Sequence, residues 1–194
     1  MCAVTKGETM LTVRKAGHRE LEKYYSLFEV DFSKAELLPK LCLHKGLLNG
    51  SWELLIVSDE ESRIDVAYAL VGCKNLYGYA LLKYFAVMPW YREKGLGVQA
   101  MRLINARYAE KQGIITEISS LDRDEAKVRK LKRFFSRFGY QEVGCDCNIG
   151  GAPTHIMAKP CKCKTDITPV AHRILPDFYD NISAKFMLDI KKPE

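Results

Sequence analysis

The chain has 194 residues, 47% of them apolar and 28% charged, which suits one hydrophobic core and excludes a disordered or fibrous chain. No apolar run approaches the roughly 18 to 20 residues of a membrane-spanning helix, and Met1 to Met10 carries Lys6 and Glu8 with no apolar h-region, so a cytoplasmic protein is expected. A net charge of +6 favours an anionic ligand without singling out nucleic acid, and seven cysteines without scaffold spacing read as reduced thiols.

In chain order, the alternation from Thr9 to Arg14 predicts a first strand. His18 to Glu29 repeats apolar residues at Leu21, Tyr24, Tyr25, Leu27 and Phe28, a helical spacing. Ser33 is placed to cap a second helix running to about Lys45, with Gly46 as its stop. Three strands follow at Trp52–Val57, Ile64–Val71 and Tyr79–Val87, and their short connections favour antiparallel hairpins. A helix from Gly95 to Gln112, a strand at Ile114–Ser119 and a helix at Asp124–Phe138 come next, then strands at Tyr140–Cys145 and Thr154–Lys159. Beyond Thr165, helical potential lies between Phe178 and Ile190, with Pro169 and Pro176 expected to break it earlier. This order predicts a mixed α/β domain, antiparallel early and with a helical crossover in the middle.

The segment richest in chemistry is Phe85-Ala86-Val87-Met88-Pro89-Trp90-Tyr91-Arg92-Glu93-Lys94-Gly95-Leu96-Gly97. A strand ends at Val87, Pro89 stops it, and a basic, glycine-bearing turn opens a long helix. Backbone N–H groups converge at such a helix start, and the helix dipole adds partial positive charge. Gly95 and Gly97 would let the main chain approach a phosphate, and Arg92 and Lys94 add cationic reach. The same pattern also fits a tight turn that binds nothing, and the glycine pair needs its strand–turn–helix context to carry weight.

These residues resemble the V-x-P-x-x-R-x-x-G-x-G signature of the GNAT (GCN5-related N-acetyltransferase) superfamily. Downstream, Phe134-Phe135-Ser136-Arg137-Phe138-Gly139-Tyr140 is similar to that family's aromatic helix end, and the element order matches from about Leu11 to Lys159. The resemblance implies a mostly antiparallel central sheet of about seven strands, splayed between the fourth and fifth and flanked by helices. It implies an acyltransferase domain over residues 1–164, with 165–194 a helical extension packed on it. It also implies acetyl-CoA as acyl donor: Phe85, Ala86 and Val87 would pair with the pantetheine arm like an added strand, and the turn Arg92, Glu93, Lys94, Gly95, Leu96, Gly97 and Val98 would hold the pyrophosphate. A backbone donor near Val87 would stabilise the oxyanion.

The chain departs from the family pattern where catalysis is concerned. The tyrosine that serves several members as acid is Phe135 here, and the asparagine often found six residues earlier is Arg129. The positions where members place a basic carboxylate on the central strand are Leu81 and Tyr84. The remaining candidates are Tyr84 as a proton relay, Glu117 on the next strand as base, and Asp65 on the preceding strand as its substitute; each also reads as an ordinary packing or exposed strand residue.

Plainer readings suit the other conspicuous features. The lysines and arginines of the helix Asp124–Phe138 form a solvated basic face, with Lys127 or Lys130 in reach of coenzyme A phosphates as the second reading; its phenylalanines fall at core spacing, against a nucleic-acid face. Cys145-Asp146-Cys147 and Cys161-Lys162-Cys163 suggest zinc only superficially. A turn at Gly150-Gly151 would pair Cys145 near Ile156, too far from Cys161 at roughly 3.4 Å per residue, so no metal is expected. Trp90 and Tyr91 are expected to pack beside the turn, and His155 to be a surface histidine. The resulting expectation is an N-acetyltransferase that joins acetyl-CoA and a primary amine in a ternary complex, acting on a small-molecule or peptide amine and using neither nucleic acid nor membrane. Its alternatives are a non-catalytic acyl-CoA sensor and an interaction protein that has lost the cleft. The tail is expected to fold over the acceptor side or to build a homodimer contact.

Overall fold

The computed structural model describes residues 10–75, 77–121, 124–162, 167–179 and 188–191. Its core is an eight-stranded sheet built from β1 (Leu11–Lys15), β2 (Trp52–Asp59), β3 (Asp65–Gly72), β4 (Ala80–Val87), β5 (Gly113–Ser119), β6 (Gln141–Ile149), β7 (Ala152–Pro160) and β8 (Leu188–Lys191). The spatial order is β1-β2-β3-β4-β5-β7-β6-β8, and β4 with β5 is the parallel pair; the other neighbours run antiparallel. That pair is parallel because the chain between them crosses over through a helix, as a parallel connection requires.

The helices are α1 (Leu21–Asp31), α2 (Lys40–Asn49), α3 (Leu96–Arg107), α4 (Glu125–Ser136) and α5 (Thr168–Tyr179). Strand alternation sends Leu54, Ile56, Tyr68 and Leu70 to one face, where they bury against Tyr24 and Phe28 of α1, Leu43 of α2 and Ile174 of α5. Leu55, Val57, Ala67 and Ala69 go to the other face, against Ala100, Met101 and Ile104 of α3 and Val128 of α4. Burial of that kind contributes roughly 1.5–3 kcal/mol per large side chain, so both faces hold the sheet. Among the described residues no helix is long and apolar enough to cross a membrane.

Three sequence expectations change. Ser33 does not start a helix: its backbone N–H and hydroxyl bond the Glu36 carboxylate at 3.0 Å, which closes a turn. The helix begins only after Pro39, which fits its N-cap position and not a helix interior. It also runs through Gly46, which is buried against Trp52, and ends at Gly50. In the tail, a helix reaches Tyr179 and Leu188–Lys191 is a strand, while residues 180–187 of the expected helix lie outside the described residues. Pro169 stands in the first turn of α5, where its missing N–H is harmless, and Pro176 is carried inside the helix. Between β6 and β7 a bulge sets Val143, not Cys145, opposite Ile156, while Cys147 faces Thr154. Cys147 is buried, Cys42, Cys73 and Cys161 are free thiols, and Cys163 lies outside the described residues.

Candidate functional site

β4 and β5 pair only through Ala80–Ile114, Leu81–Ile115 and Leu82–Thr116, and the Thr116 hydroxyl seals the last rung by donating to the Leu82 carbonyl at 3.0 Å. Past that rung the strands part. The cause is a β-bulge: Leu70 of β3 faces Tyr84 and Val71 faces Leu82, so Lys83 is the additional residue on β4. A bulge bends its strand and re-aims a side chain. The fork opens a cleft of about 570 Å³, lined at its mouth by Arg92, Glu93, Gly95, Gly97 and Val98 and at its base by Lys83, Thr116 and Glu117.

The mouth is made of main chain. After β4, a single 3-10 turn at Pro89–Tyr91 leads into residues whose dihedrals alternate in hand, with Glu93 at φ 63° and Gly95 at φ 78°, before α3 begins at Leu96. Such alternation turns successive N–H groups toward one point, which makes an anion-binding concavity at a helix N-terminus. Gly95 is needed for its left-handed φ, whereas Gly97 is needed for proximity, because a Cβ there would lie 3.1 Å from Val87 Cγ2. Leu96 turns its side chain into the core, and Phe85 stacks on Phe134 with centroids 5.9 Å apart. Ala86 packs half-buried on the opposite face of the sheet.

The cations of this region divide their work. Arg92 does not stand open in the cradle: its Nε donates to the Val87 carbonyl at 2.9 Å and its Nη2 to Asp31 at 2.6 Å. The second Asp31 oxygen accepts from the Tyr68 hydroxyl at 2.7 Å, so this cluster staples the turn to β4 and to the end of α1. Lys94 lies over the Tyr91 ring at 5.5 Å. Lys130 of α4 lines the cleft, whereas Lys127 is exposed beside its own cap Asp124. Tyr91 lines the cleft, but Trp90 is 82% exposed, contrary to expectation, because the 3-10 turn points it outward.

The base of the cleft is made of side chains. Lys83 donates to Glu117 at 2.7 Å and to the Tyr179 hydroxyl at 3.0 Å, and Tyr179 in turn donates to the other Glu117 oxygen at 2.5 Å. Both members of the ion pair are about 5% exposed or less. Burial, with the Glu117 charge and hydrogen bond added, holds the Tyr179 hydroxyl well above its ordinary range, so it stays a donor. Glu117 is among the sequence candidates; Lys83 and Tyr179 are not. A lone lysine inside the apolar run Ala80 to Val87 is the available signal for Lys83. Nothing local marks Tyr179, which arrives from the C-terminal helix.

The Tyr84 hydroxyl is committed to other partners, and Asp65 lies elsewhere. The Tyr84 hydroxyl donates to the Glu36 carbonyl at 2.7 Å and accepts from the Leu38 N–H at 2.8 Å, which commits it to the loop before α2. Asp65 is held by Lys23 at 2.6 Å, Tyr24 at 2.7 Å and Ser58 at 3.1 Å, and does not line the cleft. Phe135 lines the cleft and packs edge-on to Tyr140, whose hydroxyl is used up on Asn105 at 2.8 Å. His155 is half-exposed beside Glu142.

A sheet forked at a bulge, with a glycine turn and helix N-terminus at the mouth of the fork, is the GNAT-like architecture that the sequence resemblance implies. The pattern of the acetyltransferase (GNAT) family matches residues 21–140, and the chain belongs to that family. Among solved structures, a GNAT-family protein from Bacteroides thetaiotaomicron superimposes with a TM-score of 0.68 at 15% identity, over 87% of this chain and 96% of that one. Spermidine N-acetyltransferase from Vibrio cholerae, in complex with CoA and spermine, gives a TM-score of 0.59 at 11% identity, over 78% of this chain and 96% of that one. The ribosomal-protein-S18-alanine N-acetyltransferase of Escherichia coli gives 0.58 at 16% identity, over 78% and 94%. At these identities the likeness is one of fold. No curated protein matches the sequence.

Proposed function

We propose that this chain transfers the acetyl group of acetyl-CoA to a primary amine by direct attack in a ternary complex. The observation that carries the reading is the fork: β4 is paired to β3 through Val87 but leaves β5 after Leu82, so one edge of residues 83–87 faces an open cleft. An extended pantetheine arm can lie along that edge beside Phe85, Ala86 and Val87 as an added strand. The turn from Arg92 to Val98 would hold the pyrophosphate through its N–H groups, with Lys94 and Lys130 supplying charge and Arg92 keeping the turn in place. Holding both reactants side by side supplies much of the rate.

Glu117 takes the proton of the attacking amine in this reading, which its carboxylate at the base of the cleft on β5 supports. A backbone N–H near Val87 would receive the oxyanion. Tyr84 acts as a positioning residue, fixing the loop that carries Glu36 to the cleft wall. The acceptors named for the structural neighbours, a polyamine and a protein α-amine, frame the first amines to screen.

Thermal unfolding with and without about 1 mM acetyl-CoA tests the donor. For a dissociation constant near 10 µM, linkage gives about 2.7 kcal/mol and a midpoint rise of roughly 5–10 °C; folded protein with no rise would remove the reading. A non-catalytic acyl-CoA sensor is the second reading, favoured by Phe135 standing where several members carry their acid. Release of free thiol with any amine would eliminate it.

A further inference from the structure

The three groups at the base of the fork have a second role, which depends on acetyl-CoA binding there as proposed above. A buried ion pair is a poor way to gain stability, because desolvation of both charges offsets their attraction and an apolar pair of similar volume often serves as well. Here the pair sits in no ordinary core position. Lys83 is the additional residue of the bulge, Glu117 follows the last rung on the opposite strand, and both line the cleft at the point where the strands separate. Tyr179 comes from the far end of the chain to bond both of them. Leucine at position 83 would satisfy the neighbouring apolar positions Leu81, Leu82 and Tyr84; a lysine there needs a chemical reason.

We propose that Lys83 is the general acid of the reaction, and that Lys83 and Glu117 form one acid–base unit that resets itself through their direct contact. As the amine nitrogen bonds to the acetyl carbon, Glu117 takes the amine proton and becomes neutral. That step removes the negative charge that the 2.7 Å contact presents to Lys83. The C–S bond breaks, its electron pair leaves on sulfur, and Lys83 gives that sulfur its proton. The neutral amine of Lys83 then recovers a proton from Glu117 across the 2.7 Å contact, restoring the pair. The sum is one proton moved from amine to thiol, with no other reactant. Tyr179 is a positioning residue: its hydroxyl holds the second oxygen of Glu117 and accepts from Lys83, so the two remain aligned while their charges change. Among the described residues, Glu36, Tyr84, Ser119, Ile149 and Thr154 line the small pocket beside Lys83 and Glu117. This arrangement replaces the acid that is missing at Phe135.

The test uses hydroxylamine, a small amine nucleophile that requires no specific acceptor pocket, with acetyl-CoA as donor and thiol release as the readout. Lys83→Arg keeps the positive charge and the ion pair but cannot act as a proton donor near neutral pH. It should lower the catalysed rate about 100-fold, with the acetyl-CoA-induced rise in melting midpoint unchanged. Tyr179→Phe should lower kcat about tenfold and leave KM for acetyl-CoA as it was. Wild-type protein should show a solvent deuterium isotope effect of about twofold or more on this reaction, as expected when a proton moves in the rate-limiting step; this needs no variant to fold. Wild-type rates in Lys83→Arg, an isotope effect of unity, or binding of acetyl-CoA with no catalysed thiol release would each overturn the inference. Absence of any acetyl-CoA-induced stabilisation of the wild-type protein would instead remove the donor reading beneath it.

Discussion

The two ends of the cleft are built on opposite principles. The mouth depends on main-chain direction: Glu93 and Gly95 in left-handed conformations, Gly97 pressed to Val87, and a helix start behind them. The base depends on three side chains from β4, β5 and α5, of which the outermost in sequence, Lys83 and Tyr179, are 96 residues apart. A backbone site is set by a short stretch of chain and tolerates exchange of most side chains within it. A side-chain site exists only when distant parts of the fold are all in place, and it fails when any one of them changes.

That contrast can be broken by experiment, most severely at the tail. Ending the chain at Lys164 removes Ile167, Ile174, Leu175 and Phe178 from the core; at roughly 1.5–3 kcal/mol for each large buried side chain, the expected loss is several kcal/mol. A truncated protein that melts as the full chain does would show that the base does not need α5. Next in size, Glu117→Gln should reduce turnover of an accepted amine about 10²- to 10⁴-fold while the acetyl-CoA-induced thermal shift persists. Loss of both together would mean that the two ends are not separable.

Gly97→Val attacks the other end. Its side chain meets Val87, so acetyl-CoA affinity should fall about tenfold, near 1.4 kcal/mol, as read from titration of the thermal shift; turnover at saturating donor should change less. The smallest effect belongs to Asp65→Asn, outside both ends, which should alter neither binding nor kcat. Burial raises the Asp65 pKa, but hydrogen bonds from Lys23 and Tyr24, the Lys23 charge and Ser58 outweigh it and hold the group below its ordinary range. A depressed carboxylate stabilises the fold above its unfolded pKa of about 3.9 and loses that contribution as pH falls through the lower folded value. The variant should therefore melt about 1 kcal/mol below wild type at pH 7, with the gap narrowing below about pH 4. An equal gap at pH 7 and pH 3 would contradict the sign.

The same division explains how much of the protein could be read in advance. The mouth was legible because strand end, proline stop, glycine pair and helix start are consecutive, and local dihedrals carry their function. The sheet order and the fork followed from a resemblance that runs along the chain. Of the base only Glu117 was legible, because Lys83 reaches the gap only through a bulge, and a bulge is a matter of pairing with β3 that the run Ala80 to Val87 does not announce. Tyr84 illustrates the same point in reverse: it occupies a plausible place on the right strand, yet its hydroxyl is bound to the loop at Glu36 and Leu38. The early helix expected from Ser33 fails for a local reason, since Pro39 lies too close for a helix to propagate from there.

One consequence of α5 concerns the order in which the protein comes into being. Phe178 fills the space that a Cβ on Gly72 would take, at 2.8 Å, and the next residue, Tyr179, closes the base of the fork. A ribosome making this chain finishes the mouth of the cleft, the fork and both members of the ion pair before α5 has emerged. Until then Lys83 and Glu117 stand without the hydroxyl that aligns them, and the sheet around Gly72 is uncovered. With the donor bound as proposed, the mouth would form before the base that uses it, and competence would await the arrival of α5.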